Sequence, residues 1–137
     1  MNEVFVDTSG WASFFMKKDP YHAKALRLMA QWQQQNRRVV TINYVLTELI
    51  ALFTRDRVPR STALDYIETI RSADWVEIVH IDESLDEKAW QLLENRLDKE
   101  WSLVDAASFV VMQDSGITEA LATDHHFEQA RFVYLLK

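Results

Sequence analysis

Val4-Phe5-Val6-Asp7-Thr8-Ser9 is the stretch that decides the fold. Three apolar residues, two β-branched and one aromatic, read as a short strand buried on both faces. An acid and two hydroxyl residues follow at once, and then an apolar, helix-like run from Trp11 to Met16. An acid is thus placed at the carboxyl end of a buried strand, where the chain turns into a helix. In open α/β sheets that end of the strands is where ligands bind. The same three polar residues also suit the cap of a first helix. Asp7 takes on a functional reading only if other acids join it.

The 137 residues fit one domain, 1–137, and 48% hydrophobic residues are enough to bury a proper core. Two Gly and two Pro argue against disorder, repeats and long linkers. With no cysteine there is no disulfide, thiolate nucleophile or Cys-based zinc site, which suits a reducing cytosol. A cytoplasmic location is the expectation. No basic residue precedes Lys17 and the first apolar run is short, so no secretory signal is expected. No apolar stretch approaches the ~18 residues that span a bilayer. The formal net charge of −6 disfavours a passive nucleic-acid binder with a broad basic surface. It leaves room for an enzyme that meets phosphate through a bound cation.

Beyond Met16, Asp19-Pro20 is a turn and helix-start signal, and Tyr21 to Gln35 reads as an amphipathic helix. Val39 to Ile42 is a second strand. Asn43 caps a helix from Tyr44 to Arg55, and Pro59 opens another that runs to Ser72. Trp75 to Ile81 is a third strand. Asp82 or Ser84 caps a helix from Leu85 to Leu97. The helix from Leu103 to Gln113 is apolar nearly all round, so it is expected to be buried, with Gly116 ending that region. Ala120 to Ala122 and Phe132 to Leu136 are the last two strands. Strands separated by helices along the whole chain mean a parallel sheet covered on both faces, a three-layer α/β sandwich. The pattern does not fix the strand order.

Several acids stand in unusual places. Glu48 lies inside the apolar run Val45-Leu46-Thr47-Glu48-Leu49-Ile50, either on the polar face of its helix or at a site. Asp105 falls early in the helix expected to be buried. A buried polar group without a partner costs roughly 2–7 kcal/mol, so Asp105 must have one. Ser102 and Asp105 have the spacing of a capping box, which supplies a structural role beside any functional one. Asp124 follows Ala120-Leu121-Ala122-Thr123 and repeats the placement of Asp7. If strands one and four are neighbours, the two acids meet at a switch point.

These motifs together resemble the PIN-domain ribonucleases, most closely the VapC-type toxins of bacterial toxin–antitoxin pairs. The stretch at 4–11, Thr41-x-Asn43-x-Val45-Leu46-x-Glu48, Asp98-Lys99-x-Trp101-Ser102-Leu103-x-Asp105-Ala106 and Thr123-Asp124-His125-His126-Phe127-x-Gln129-Ala130 match that family's four motifs in order. The resemblance implies a five-stranded parallel sheet in the order 3-2-1-4-5, which makes strands one and four neighbours. It implies a metal-dependent endoribonuclease whose acidic cluster is Asp7, Glu48, Asp105 and Asp124. Asp7 and Asp105 would bind the main ion. Glu48 would act through that ion or its water, and Asp124 would hold a second ion or the surrounding shell. Thr8, Ser9, Asp98, Ser102 and Thr123 stand around the cluster as substrate contacts or supporting residues. An RNA substrate, an antitoxin partner and a homodimer are implied in the same way.

Oxygen ligands without cysteine suit Mg²⁺ or Mn²⁺. Such an ion neutralises clustered carboxylates and can activate water for attack on a phosphodiester. Two positions depart from the family pattern: Ala122, where relatives often carry Thr, and Arg131, where they usually carry Gly. His22 and His80 read as surface or packing residues. His125 and His126 lie beside Asp124, and a structural role is the expectation for His126. Trp11, Phe14 and Phe15 read as core or dimer surface rather than base-stacking platforms. An aspartyl-nucleophile phosphatase would want a second Asp where Ser9 stands. A PIN-fold scaffold without nuclease activity would have lost acids, and all four are present.

Overall fold

The computed structural model describes residues 2–137. Twelve elements follow in chain order: β1 (Val4–Val6), α1 (Thr8–Phe15), α2 (His22–Gln34), β2 (Val39–Ile42), α3 (Asn43–Arg55), α4 (Arg60–Ser72), β3 (Val76–Val79), α5 (Glu83–Asn95), α6 (Leu103–Ser115), β4 (Glu119–Leu121), α7 (His126–Gln129) and β5 (Val133–Tyr134). The strands form one sheet in the order β3-β2-β1-β4-β5, and every pairing is parallel. β1 is central, with Phe5 opposite Val40 on one side and Ala120 on the other.

Right-handed crossovers dictate the layers. The chain steps outward from β1 to β2 to β3, then crosses back to β4 and on to β5. Reversing the direction of travel puts the later helices on the opposite face from the earlier ones. Most contacts agree: α1 packs on α2 and α3, and α3 on α4, while α5 packs on α6 and α6 on α7; α3 also touches α6, joining the two groups. The central strand explains its own sequence, since Val4, Phe5 and Val6 are all fully buried. α6 is buried continuously from Asp105 to Met112, as its all-round apolar pattern predicts.

Two contacts set how the carboxyl ends of the strands are held. The Thr41 hydroxyl donates to the Val6 carbonyl at 2.8 Å and accepts from the Trp11 indole N–H at 3.3 Å, joining β2, β1 and α1. Gly10 lies so close to β4 that an added Cβ would stand 2.1 Å from the Leu121 carbonyl oxygen. Only glycine lets α1 sit this tightly against the neighbouring strand. At the other end Arg37 donates to the Asn2 carbonyl at 2.7 Å and to Glu119 at 2.6 Å, tying the chain start to β4.

Several boundaries differ from the sequence expectation. Asn43 is the first residue of α3 rather than its cap; its side-chain oxygen accepts the Ile81 N–H at 2.7 Å, pinning α3 to the end of β3. α5 starts two residues earlier than expected, capped by Asp82, and ends before Leu97. β3 is shorter than its apolar run, because only Val76–Val79 pair with β2, and β5 is assigned to Val133–Tyr134 alone, although Leu135 and Leu136 still donate to the Ala120 and Ala122 carbonyls. α7 is a four-residue helix that the sequence reading did not anticipate. Among the described residues, no helix is long and apolar enough to cross a membrane.

Candidate active site

Because β1 lies between β2 and β4, the loops that leave β1 and β4 meet at the carboxyl edge of the sheet. Asp7 follows β1, Glu48 stands in α3 after β2, Asp105 is in the first turn of α6, and Asp124 follows β4. All four line one cleft of about 630 Å³, together with Thr8, Ser9, Ser102 and Thr123. Four acids spread over most of the chain thus share one opening.

Asp7 is the most constrained. It is 5% exposed, and its Oδ1 has no hydrogen-bond partner among the described residues. Its side chain makes no cap bond to α1, although Asp7 occupies the N-cap position. Burial pushes the Asp7 carboxyl up from 3.8 to about 7. The Thr8 N–H opposes that rise, and the nearby charges of Asp105, Glu48 and Asp124 add to it. A cation beside this carboxyl would offset the cost of its burial.

The other acids are oriented by short bonds. The Thr8 hydroxyl donates to Glu48 Oε1 at 2.5 Å, holding an otherwise exposed carboxylate against the cleft. Asp105 and Ser102 form the capping box: the Ser102 N–H donates to Asp105 Oδ2, and the Asp105 N–H to Ser102 Oγ, each at 3.0 Å. Asp124 Oδ1 accepts the His126 N–H at 2.9 Å. Ser9 bridges two parts of the cluster. Its oxygen accepts the Thr123 N–H at 3.0 Å, and its hydroxyl donates to Asp7 Oδ2 at 3.5 Å.

Asp98 is not brought to the cleft. It is exposed and held by Arg96 through two bonds of 3.1 Å, which keep its carboxyl below the ordinary range. His126 is brought in. Its Nδ1 lies 3.0 Å from Asp105 Oδ2 and 3.2 Å from Asp124 Oδ2. Asp105, Asp124 and His126 each place one ligand atom within 4.8 Å of the others. The signal available in sequence was the Asp-x-His spacing across a turn, which lets two side chains converge where adjacent ones cannot. Arg55, Glu100 and His125 also line the cleft. Ala122 is fully buried and does not line it. Arg131 has φ +72, the left-handed backbone that explains a glycine preference at its position.

The donor set fits a divalent cation. Its atoms are mostly carboxylate oxygens, one of them is buried without a partner, and the cluster carries more negative charge than its surroundings offset. A second cleft of about 680 Å³ opens at the amino ends of the strands, lined by Glu3, Arg37, Arg38, Asp74 and Trp75 among others. Neither of its acids is buried, so size does not separate the two clefts but chemistry does.

Fold and site together define a parallel α/β domain with an acidic cluster at its switch point, an arrangement whose carboxylates suit a divalent cation. The chain belongs to the PIN-domain family, whose match runs over residues 4–133. It is 38% identical over 130 residues to the 23S rRNA-specific endonuclease VapC20 of Mycobacterium tuberculosis, covering 95% of each chain. The crystal structure of that bacterium's VapC20, a sarcin–ricin loop cleaving toxin, superposes with a TM-score of 0.86 at 36% identity. That match covers 98% of this chain and 100% of the other. PAE2754 from Pyrobaculum aerophilum (17% identity, 98% and 88% coverage) and FitAcB from Neisseria gonorrhoeae (11%, 98% and 96%) share the fold, each with a TM-score of 0.65.

Proposed function

We propose that this protein is a metal-dependent endoribonuclease, the toxin of a toxin–antitoxin pair, and that its substrate is ribosomal RNA. The observation that carries this reading is Asp7: a buried carboxyl, one oxygen without a partner, at the centre of an acid-lined cleft. The identity to VapC20 over nearly the full chain supports an RNA substrate, and the sarcin–ricin loop is the first RNA to test.

Asp7, Asp105 and Asp124 hold Mg²⁺ or Mn²⁺ in this reading, and Glu48 faces the same space. When bound, such an ion supplies charge neutralisation and a more acidic water for attack on phosphate. The residues of the chain set the geometry. Thr8 fixes Glu48, the capping box fixes Asp105, and Ser9 couples the Asp7 loop to the Thr123 loop. Arg55, at the cleft wall, offers a guanidinium to a substrate phosphate. An antitoxin would block this cleft with a cationic segment, because acids facing a basic peptide are electrostatically complementary. The protein acts in the cytoplasm as a homodimer.

The test is cleavage of ribosomal RNA by purified protein with Mg²⁺ or Mn²⁺, against chelator and against Asp7→Asn. Cutting that needs the metal and falls more than about 100-fold in the variant supports the assignment. Cutting that survives both would refute it.

A further inference from the structure

We propose that His126 Nδ1 is a direct ligand of the divalent ion in this cleft, making an oxygen–nitrogen site that prefers a first-row transition ion to Mg²⁺. The inference rests on the metal-dependent reading above and adds a ligand and a metal preference to it. Its basis is a convergence of three atoms. Nδ1 stands 3.0 Å from Asp105 Oδ2 and 3.2 Å from Asp124 Oδ2. Adjacent ligands of an octahedral ion with bonds of about 2.1 Å stand roughly 3.0 Å apart, so these spacings are those of neighbouring ligands.

A hydrogen-bond role alone explains less of this arrangement. Nδ1 can carry one hydrogen, yet it faces two carboxylate oxygens. One of them, Asp105 Oδ2, already accepts the Ser102 N–H at 3.0 Å. A proton shared there would also leave Asp7 Oδ1, buried in the same cleft, without a partner among the described residues. A divalent cation held by Asp105, Asp124 and His126 answers the first need directly, and its charge in the same cleft offsets the burial of Asp7.

The ring is also built into place. Asp124 Oδ1 accepts the His126 N–H at 2.9 Å, so one turn presents Asp124 Oδ2 and His126 Nδ1 together. Phe127 is fully buried and packs its ring 5.1 Å from Phe109 and 6.4 Å from Phe5, anchoring the start of α7 to the core. His125 lies beside the imidazole, ring to ring at 4.9 Å and tilted by 56°. The metal preference follows from ligand chemistry. Mg²⁺ favours oxygen and holds its waters, whereas imidazole nitrogen favours transition ions.

The experiment is Mn²⁺ and Mg²⁺ binding to the metal-free full chain by calorimetry, with electron spin-echo spectroscopy of the Mn²⁺ form. Wild type, His126→Asp and Asp7→Asn are compared. We expect wild type to bind Mn²⁺ about tenfold or more tightly than Mg²⁺ and to show ¹⁴N modulation from a bound imidazole. His126→Asp should lose that modulation and bring the two affinities to within about threefold. Mn²⁺ bound by wild type without ¹⁴N modulation would overturn the ligand role, and Asp7→Asn would still lose affinity, leaving the nuclease reading intact. Equal Mn²⁺ affinity in wild type and Asp7→Asn, or no Mn²⁺ binding by wild type, would overturn both. The wild-type spectrum decides the matter even if a variant fails to fold.

Discussion

Removing the charge of Asp7 should stabilise the metal-free protein, and the effect should depend on pH in a defined sense. Burial carries this carboxyl from 3.8 to about 7. At ~1.4 kcal/mol per pH unit, ionising it in the folded chain costs about 4 kcal/mol. The folded value lies above the unfolded one, so the folded state holds the proton longer. Stability is therefore complete below about pH 4, falls as pH rises towards 7, and levels off above that. Asp7→Asn keeps the shape and removes the ionisation, but its amide also lacks partners in this pocket. We expect it to be about 2 kcal/mol more stable than wild type at pH 8.5, where half of the loss is recovered, and about 2 kcal/mol less stable at pH 4, where the neutral carboxyl carries no such loss and only the unpaired amide counts. The assay is urea unfolding in chelator at several pH values, followed by the fluorescence of the five tryptophans. With Mn²⁺ present the order should invert, because the wild type then gains binding energy that the variant lacks. Parallel stability curves for the two proteins from pH 4 to 8.5 would refute the account of Asp7 as a buried carboxyl awaiting a cation.

Thr8→Val removes the hydroxyl that holds Glu48 and should lower RNA cleavage about tenfold, with Thr8→Ser restoring most of it. Gly10→Ala forces a methyl against the Leu121 carbonyl and should cost about 3 kcal/mol or more, read as a drop in urea midpoint. Arg131→Gly relieves a left-handed backbone and should raise stability by up to about 1 kcal/mol, seen as a few degrees in Tm. Asp98→Asn, at an exposed ion pair away from the cleft, should leave cleavage within about twofold of wild type.

Much of the fold was legible because its strongest signals are local. Val4-Phe5-Val6 could only be a strand buried on both faces, and the all-round apolar α6 could only be a buried helix. The Ser102–Asp105 capping box was readable from spacing alone, since both partners lie within one turn. Strand order was not, because pairing joins residues far apart in sequence, such as Phe5 and Ala120; it came from the family resemblance. Edges blurred where an apolar run outlasted its pairing, as at β3. Asn43 was misplaced because its partner, Ile81, lies 38 residues away. The four acids of the cleft stood out as charges in apolar surroundings. Asp98 carried the same motif signal, but its chain neighbours Arg96 and Lys99 draw it to the surface. The approach of His126 to Asp105 was not legible because it depends on α7, a helix too short to leave a periodic trace.

The dispersal of the acidic cluster along the chain has a consequence for biosynthesis. The acids come from residues 7, 48, 105 and 124, and β4, which carries the last of them into place, pairs with β5 at 133–134. Translation supplies these parts in order, and no nascent chain that stops short of β5 holds all of them. On the proposed site, a ribosome part-way through these residues therefore carries no assembled cluster. On that same proposal, the assembled cluster, and with it any surface that an inhibitor would cover, forms only once β4 and β5 have both emerged and paired.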